Sequence, residues 1–171
     1  MSSILKVDQI QLSNGNTPTA GDLGLNTTGS VLQVIKNEST AATVVTSSSY
    51  VTSVSANITP SATSSRVKIS VCGIYYANHT GSNVSNLFTC HRNGSPVSGH
   101  NWSQGSGSTA CHYLQYRTDR IGDHIPLPFN FTWIDSPSTT SSTTYAFKTE
   151  ASVGQHRFYS GVTMILEEIA G

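Results

Sequence analysis

Apolar residues recur at every second position in short runs along this chain, and clusters of Gly, Pro, Asn or Ser separate the runs. That is the signature of half-buried strands rather than helices. The pattern predicts strands over residues 30–36, 50–59, 66–77, 85–92, 111–116, 128–134, 144–150 and 159–168. Alternation is cleanest in two of them: Val67, Ile69, Val71 and Gly73 share one face, and Phe129, Phe131 and Trp133 share another. Arg92-Asn93-Gly94-Ser95 carries the Asn-Gly pair that suits a two-residue hairpin turn. The stretch DSPSTTSSTTYAFKTEA, residues 135–151, runs through Ser and Thr with nothing apolar to bury. It then turns into a strand expected to point Tyr145 and Phe147 inward and to leave Lys148 and Glu150 at or near solvent.

The last segment, Val162-Thr-Met-Ile-Leu-Glu-Glu-Ile, breaks the alternation, because Met164 and Leu166 share one face while Ile165 occupies the other. A strand apolar on both faces lies centrally in a sandwich or between the core and another subunit. In the second case Met164, Ile165 and Leu166 are the expected subunit contact. About eight strands of this length in one domain suit an all-β fold, a β-sandwich of the jelly-roll kind, over residues 30–171.

Residues 1–29 differ. They are turn residues with scattered aliphatics, too few to build a core. The segment reads as an extended N-terminal anchoring arm whose apolar grips are Ile4, Leu5, Val7, Ile10, Leu12, Leu23 and Leu25. Such an arm becomes ordered by lying on something else.

Composition narrows the function. Charged residues make up 11% of the chain and the formal net charge is zero. Duplex nucleic acid and anionic membrane surfaces both call for clustered Lys and Arg, so neither is an expected partner. No run approaches the roughly 18 apolar residues of a membrane span, and the start Met1-Ser-Ser-Ile-Leu-Lys lacks the pattern of a signal peptide. Sequons such as those at Asn57, Asn83 and Asn130 are what a Ser/Thr-rich chain holds by chance. Of the three cysteines, Cys72 and Cys90 sit inside strands and are expected as buried free thiols, and all three as unpaired.

Catalytic patterns are missing: no phosphate-binding glycine loop, no Gly-X-Ser-X-Gly elbow, no His-Glu-X-X-His pair. Cys90-His91 and Cys111-His112 place neighbouring residues on opposite faces of a strand, which does not give two ligands to one ion. Asp119 to His124 is a dense polar cluster whose plain reading is a solvated loop. The expectation is no enzyme, no cofactor and no metal. Trp102, within a Gly/Ser-rich stretch, is the candidate ligand contact, because an indole in such a loop can stack on a sugar or a partner.

"ILKVDQIQ" and "TPTAGDLG" in the arm, then "TGSVLQVI", "ANITPSATSSRVKISV", "RNGSPV", "WIDSPSTTSSTTYAFKTE" and "MILEEIAG", follow one another over nearly the full length. In that order they resemble small virion structural proteins of tailed bacteriophages, those of marine and cyanobacterial phages in particular. The resemblance implies a homotrimer of jelly-roll heads on the virion surface, assembled in the host cytoplasm and held to other capsid or tail proteins. It carries no catalytic residues. The implied roles are capsid decoration or head fibre, with the arm gripping the shell, or a short tail fibre or receptor-binding tip holding host surface glycan through residues 99–109 and 136–144. Length favours the first. An uncharged hydroxyl loop at 138–144 would then suit the outward face of a particle.

Overall fold

The computed structural model describes residues 10–18, 22–23, 28–46, 49–78, 84–97, 102–104, 108–110, 112–116, 125–151 and 155–171. These contain thirteen strands and, among the described residues, no helix. In chain order they are β1 (Val31–Glu38), β2 (Thr43–Val45), β3 (Val51–Ile58), β4 (Arg66–Asn78), β5 (Val84–Arg92), β6 (Ser95–Pro96), β7 (Trp102–Gln104), β8 (Ser108–Ala110), β9 (His112–Tyr116), β10 (Ile125–Asp135), β11 (Thr143–Ala151), β12 (Gln155–Phe158) and β13 (Thr163–Ile169). They form two antiparallel sheets and the separate β7–β8 hairpin.

The first sheet runs β1–β13–β4–β12–β2, with β10 along the other side of β4. Its apparent complexity is a four-stranded sheet with two broken strands. β13 and β12 lie end to end beside β4, and β1 and β2 lie end to end beside them. Residues 39–42 and 159–162 fill the two breaks and bond to one another: Ser39 N–H to Val162 O (2.9 Å), Gly161 N–H to Ser39 O (2.8 Å) and Val162 N–H to Ser39 Oγ (3.0 Å). Because Phe158 pairs with Tyr75 and Thr163 with Cys72, residues 159–162 oppose only Gly73 and Ile74, a wide bulge. The strand expected over 159–168 therefore begins at Thr163, and Gly161 takes the left-handed φ of 93° that the bulge requires.

The second sheet runs β3–β11–β5, and beyond β5 lie β6 at one end and β9 at the other. Asn93 and Gly94 join β5 to β6 with φ of 48° and 90°, the paired positive values of a type I′ turn.

The inward faces meet in one core. Val67, Ile69 and Val71 are fully buried, with Trp133, Phe147, Phe158, Met164 and Leu166. Gly73 belongs to that face because a Cβ there would come within 3.1 Å of the Phe129 ring and 3.2 Å of Val162. Rings interlock across the sheets: Phe147 of the second lies 5.6 Å from Phe129 and 5.7 Å from Phe158 of the first. Each such pair adds about 0.5–1.5 kcal/mol beyond area burial.

Parity corrects three expectations. With Val71 and Gly73 turned inward, Cys72 faces out and is exposed, whereas Cys90 is buried; both are free. Cys111 lies outside the described residues. Glu150 is buried rather than near solvent, and Thr143, at the end of the hydroxyl run, is fully buried as the first residue of β11.

Candidate functional site

Two polar clusters tie the sheets together at the end where residues 29–30, 59–65, 93–94, 136–142 and 170–171 gather. Glu168 follows Met164 and Leu166 on the inward face and is fully buried. Its Oε1 accepts from Ser61 N–H (2.7 Å), Ser61 Oγ (2.6 Å) and Ser65 Oγ (2.7 Å), and its Oε2 accepts from Gln33 Nε2 (2.6 Å). Burial by itself would raise this carboxyl; the donors of Ser61, Ser65 and Gln33 outweigh it and hold the pKa at about 2. Gln33 also donates to Thr59 O (2.7 Å), so β1, β13 and the 59–65 connection share one knot. The second cluster centres on Asp135, which accepts from Arg92 Nη1 (2.9 and 3.1 Å) and from the Tyr145 hydroxyl (2.7 Å). Burial, followed by the bond to Asp135, pushes the Tyr145 phenol far above its usual range. Both clusters are fully used in holding the fold.

The arm joins the domain at this same end. Gly29 N–H donates to Ala170 O (2.7 Å) and Ala170 N–H donates to Ser30 O (2.8 Å), which continues the β1–β13 ladder by one step. The hydroxyl loop after β10 therefore lies beside the arm's exit. Of the expected grips, Ile10 and Leu23 are exposed (50% and 44%) and Leu12 is half-buried. Ile4, Leu5, Val7 and Leu25 lie outside the described residues.

Of the expected subunit contacts, Met164 and Leu166 are fully buried in the chain's own core and cannot reach a partner. Ile165 alone faces outward, half-buried, opposite Ser70 and Lys36. Antiparallel partners share a face, so the same ladder places Val34, Ile74 and Ile134 on that outer surface, at 57%, 47% and 52% exposure. Its centre is neutral, formed by Ser70, Cys72, Thr132 and Asn130, and ion pairs flank it: Lys68–Glu167 at 2.6 Å and Lys36–Glu38 at 3.0 Å. Near the bulge the Tyr76 and Tyr159 rings sit 4.2 Å apart, with the Arg157 guanidinium 5.4 Å over Tyr159. Ile74 and Ile134 went unremarked in the sequence although a signal was there: each is an apolar residue at a polar-phase position of a cleanly alternating strand.

On the second sheet, outward-pointing Leu87, Thr89 and His91 are buried. β8 lies close to β5, and the Tyr50 ring packs edge-on against His91 at 5.5 Å. Burial lowers the His91 pKa, against the bond between Nδ1 and Gly94 O (2.9 Å). Trp102 belongs to β7, paired with Ala110, instead of lying in a loop. Among the described residues no group of three or more His, Cys, Asp or Glu side chains is placed to hold a metal ion. The Asp119–His124 cluster and Cys111 lie outside them. Comparison of the chain with family models and with curated proteins finds no match.

Proposed function

We propose that this chain is a non-enzymatic structural protein of a tailed-phage virion, a capsid decoration or head-fibre subunit at the particle surface. In this reading it is a jelly roll that assembles as a homotrimer and is anchored by residues 1–29. The strand order supports the jelly roll: apart from the β7–β8 hairpin and the run β5, β6, β9, which stays in the second sheet, the chain crosses between sheets at each step, with (β1, β2), β4, β10 and (β12, β13) in one and β3, β5, β6, β9 and β11 in the other. One observation carries the assembly. The exposed large hydrophobics among the described residues fall in the arm (Ile10, Leu23) or on the first sheet (Val31, Val34, Val44, Ile74, Ile134) and its bulge (Tyr159). An apolar surface gathered on one sheet marks an interaction site, and cyclic symmetry closes it without growth into fibres.

The arm's place at one end of the domain gives it the second role. Threefold symmetry brings three arms to the same side, where weak grips add through effective concentration. Each aliphatic side chain contributes about 1.5 kcal/mol or more when buried, offset by the ordering of the segment. Removing residues 1–28, which spares the Gly29 tie to Ala170, is expected to leave a folded trimer that no longer joins the particle. A monomeric product, or incorporation at full occupancy, defeats the reading.

A further inference from the structure

The edge strands of the two sheets meet along one side of the sandwich, β1 and β2 from the first and β3 from the second. Between them lies a shallow cleft of about 330 Å³, lined by residues 37–43 and 52–55. Irregularities in both walls open it. On one wall the chain leaves the ladder at 39–42, opposite the Gly161 bulge. On the other, Phe147 pairs with Val54 and Lys148 with Thr52, so Ser53 is an extra residue in β3. Bulges at sheet edges re-aim side chains, and Ser53 is 8% exposed, with a buried Oγ that has no hydrogen-bond partner among the described residues. A buried hydroxyl left unpaired beside a cleft points to a missing polar guest.

We propose that this cleft binds a single neutral sugar ring. Its walls offer the hydroxyls of Thr40, Thr43, Thr52 and Ser55, over the small apolar floor of Ala41, Ala42 and Val54. The Glu38 carboxylate lies apart, on the outer face of the first sheet, where Oε2 pairs with Lys36 at 3.0 Å and Oε1 lies toward Gly161. No Lys, Arg or aromatic residue is among the lining residues, so the cleft offers neither an ion pair to an anion nor stacking to a nucleobase. Sugar hydroxyls that exchange bonds with Ser and Thr are the chemistry that fits. The volume stands at the low end of the roughly 300–1,000 Å³ of ligand sites, which limits the guest to a small molecule or one terminal residue. The cleft also lies in the half of the sandwich away from Gly29, where an anchored chain leaves it accessible. The site requires neither the virion reading nor a trimer, because the isolated chain is enough to test it.

The test is an amide-shift titration of the full chain with glucose, galactose and mannose, each also as its methyl glycoside. At least one hexose should bind saturably with a dissociation constant of about 1–10 mM, and the shifts should map to residues 37–43 and 52–55. Equal binding of the methyl glycoside assigns the site to the terminal residue of a glycan; binding of the free hexose alone assigns it to the monosaccharide. Thr52→Val, at an exposed position of the wall, should weaken binding about tenfold, and Ser53→Val should abolish it while the spectrum elsewhere stays that of the wild type. No shift from any of the six ligands, shifts mapped elsewhere, or undiminished binding by Ser53→Val overturns the proposal.

Discussion

On the first sheet the outward positions Val34, Ile74 and Ile134 stand about half exposed, while on the second Leu87, Thr89 and His91 at outward positions are 2%, 0% and 7% exposed. Both sheets are antiparallel, both are effectively four strands wide, and both turn phenylalanines into the same core. The difference is what lies on the other side. Around β5 the second sheet's outer face is already buried within a single chain, though Thr52, Asn57 and Thr144 toward its β3 edge are exposed, and the first carries on its outer face the Lys68–Glu167 pair and the tyrosines near the bulge. Inward residues thus describe the fold alike in both sheets, whereas the outward residues show where a second molecule can dock.

The sharpest way to break this comparison is to place a charge on each face in turn. Thr89→Arg forces a cation into a covered position and should cost about 3 kcal/mol or more in urea unfolding. A loss under 1 kcal/mol would mean that the second sheet is as open as the first. The comparison also needs the sheets to unfold as one body, and Glu168 tests that. Glu168→Ala leaves Ser61 and Ser65 without their acceptor and Gln33 with Thr59 O alone, and should cost about 2–3 kcal/mol. In the wild type the pH dependence has a defined sign. The folded carboxyl sits near 2, below its ordinary 4.5, so its contribution is complete above about pH 4.5 and drains away as pH falls toward 2. Denaturant midpoints across that window should fall in the wild type and stay flatter in Glu168→Gln.

Ile74→Arg on the open face should change chain stability by no more than about 0.5 kcal/mol. It should nevertheless take the proposed trimer to a single chain of 18.2 kDa in light scattering. An unchanged mass would separate the apolar face from assembly. The smallest effect is on thiol chemistry. Cys72 lies on the open face and Cys90 in the core, so alkylation of native protein should reach Cys72 first. It should reach Cys72 faster in Ile74→Arg than in the wild type, and equal rates would show that nothing covers this face.

Much of this was legible in the alternation. Val67, Ile69 and Val71, then Phe129 and Trp133, pointed inward as their spacing required, and Asn93-Gly94 made its turn. The same parity, followed one residue further, would have turned Cys72 outward and Glu168 inward. What parity does not carry is coverage: nothing beside Thr89 or Glu150 in sequence says that another part of the chain will bury its outer face. Short β2 and β12 were invisible because three or four residues with one or two apolar members make no pattern. The cleft was out of reach for a different reason, since residues 39–42 and Ser53 become neighbours only when the sandwich closes.

The exchange between Gly29 and Ala170 has a mechanical consequence. Tension on an anchored arm enters the domain through the first residue of β1 and runs along that strand's own axis. The bonds from Val31–Ile169 to Glu38–Thr163 are then sheared together instead of being unzipped singly. Gln33, bonded to Thr59 and Glu168, acts as a bolt near the loaded end. An attachment through the arm, as proposed, would thus resist drag in the direction in which a sheet is strongest.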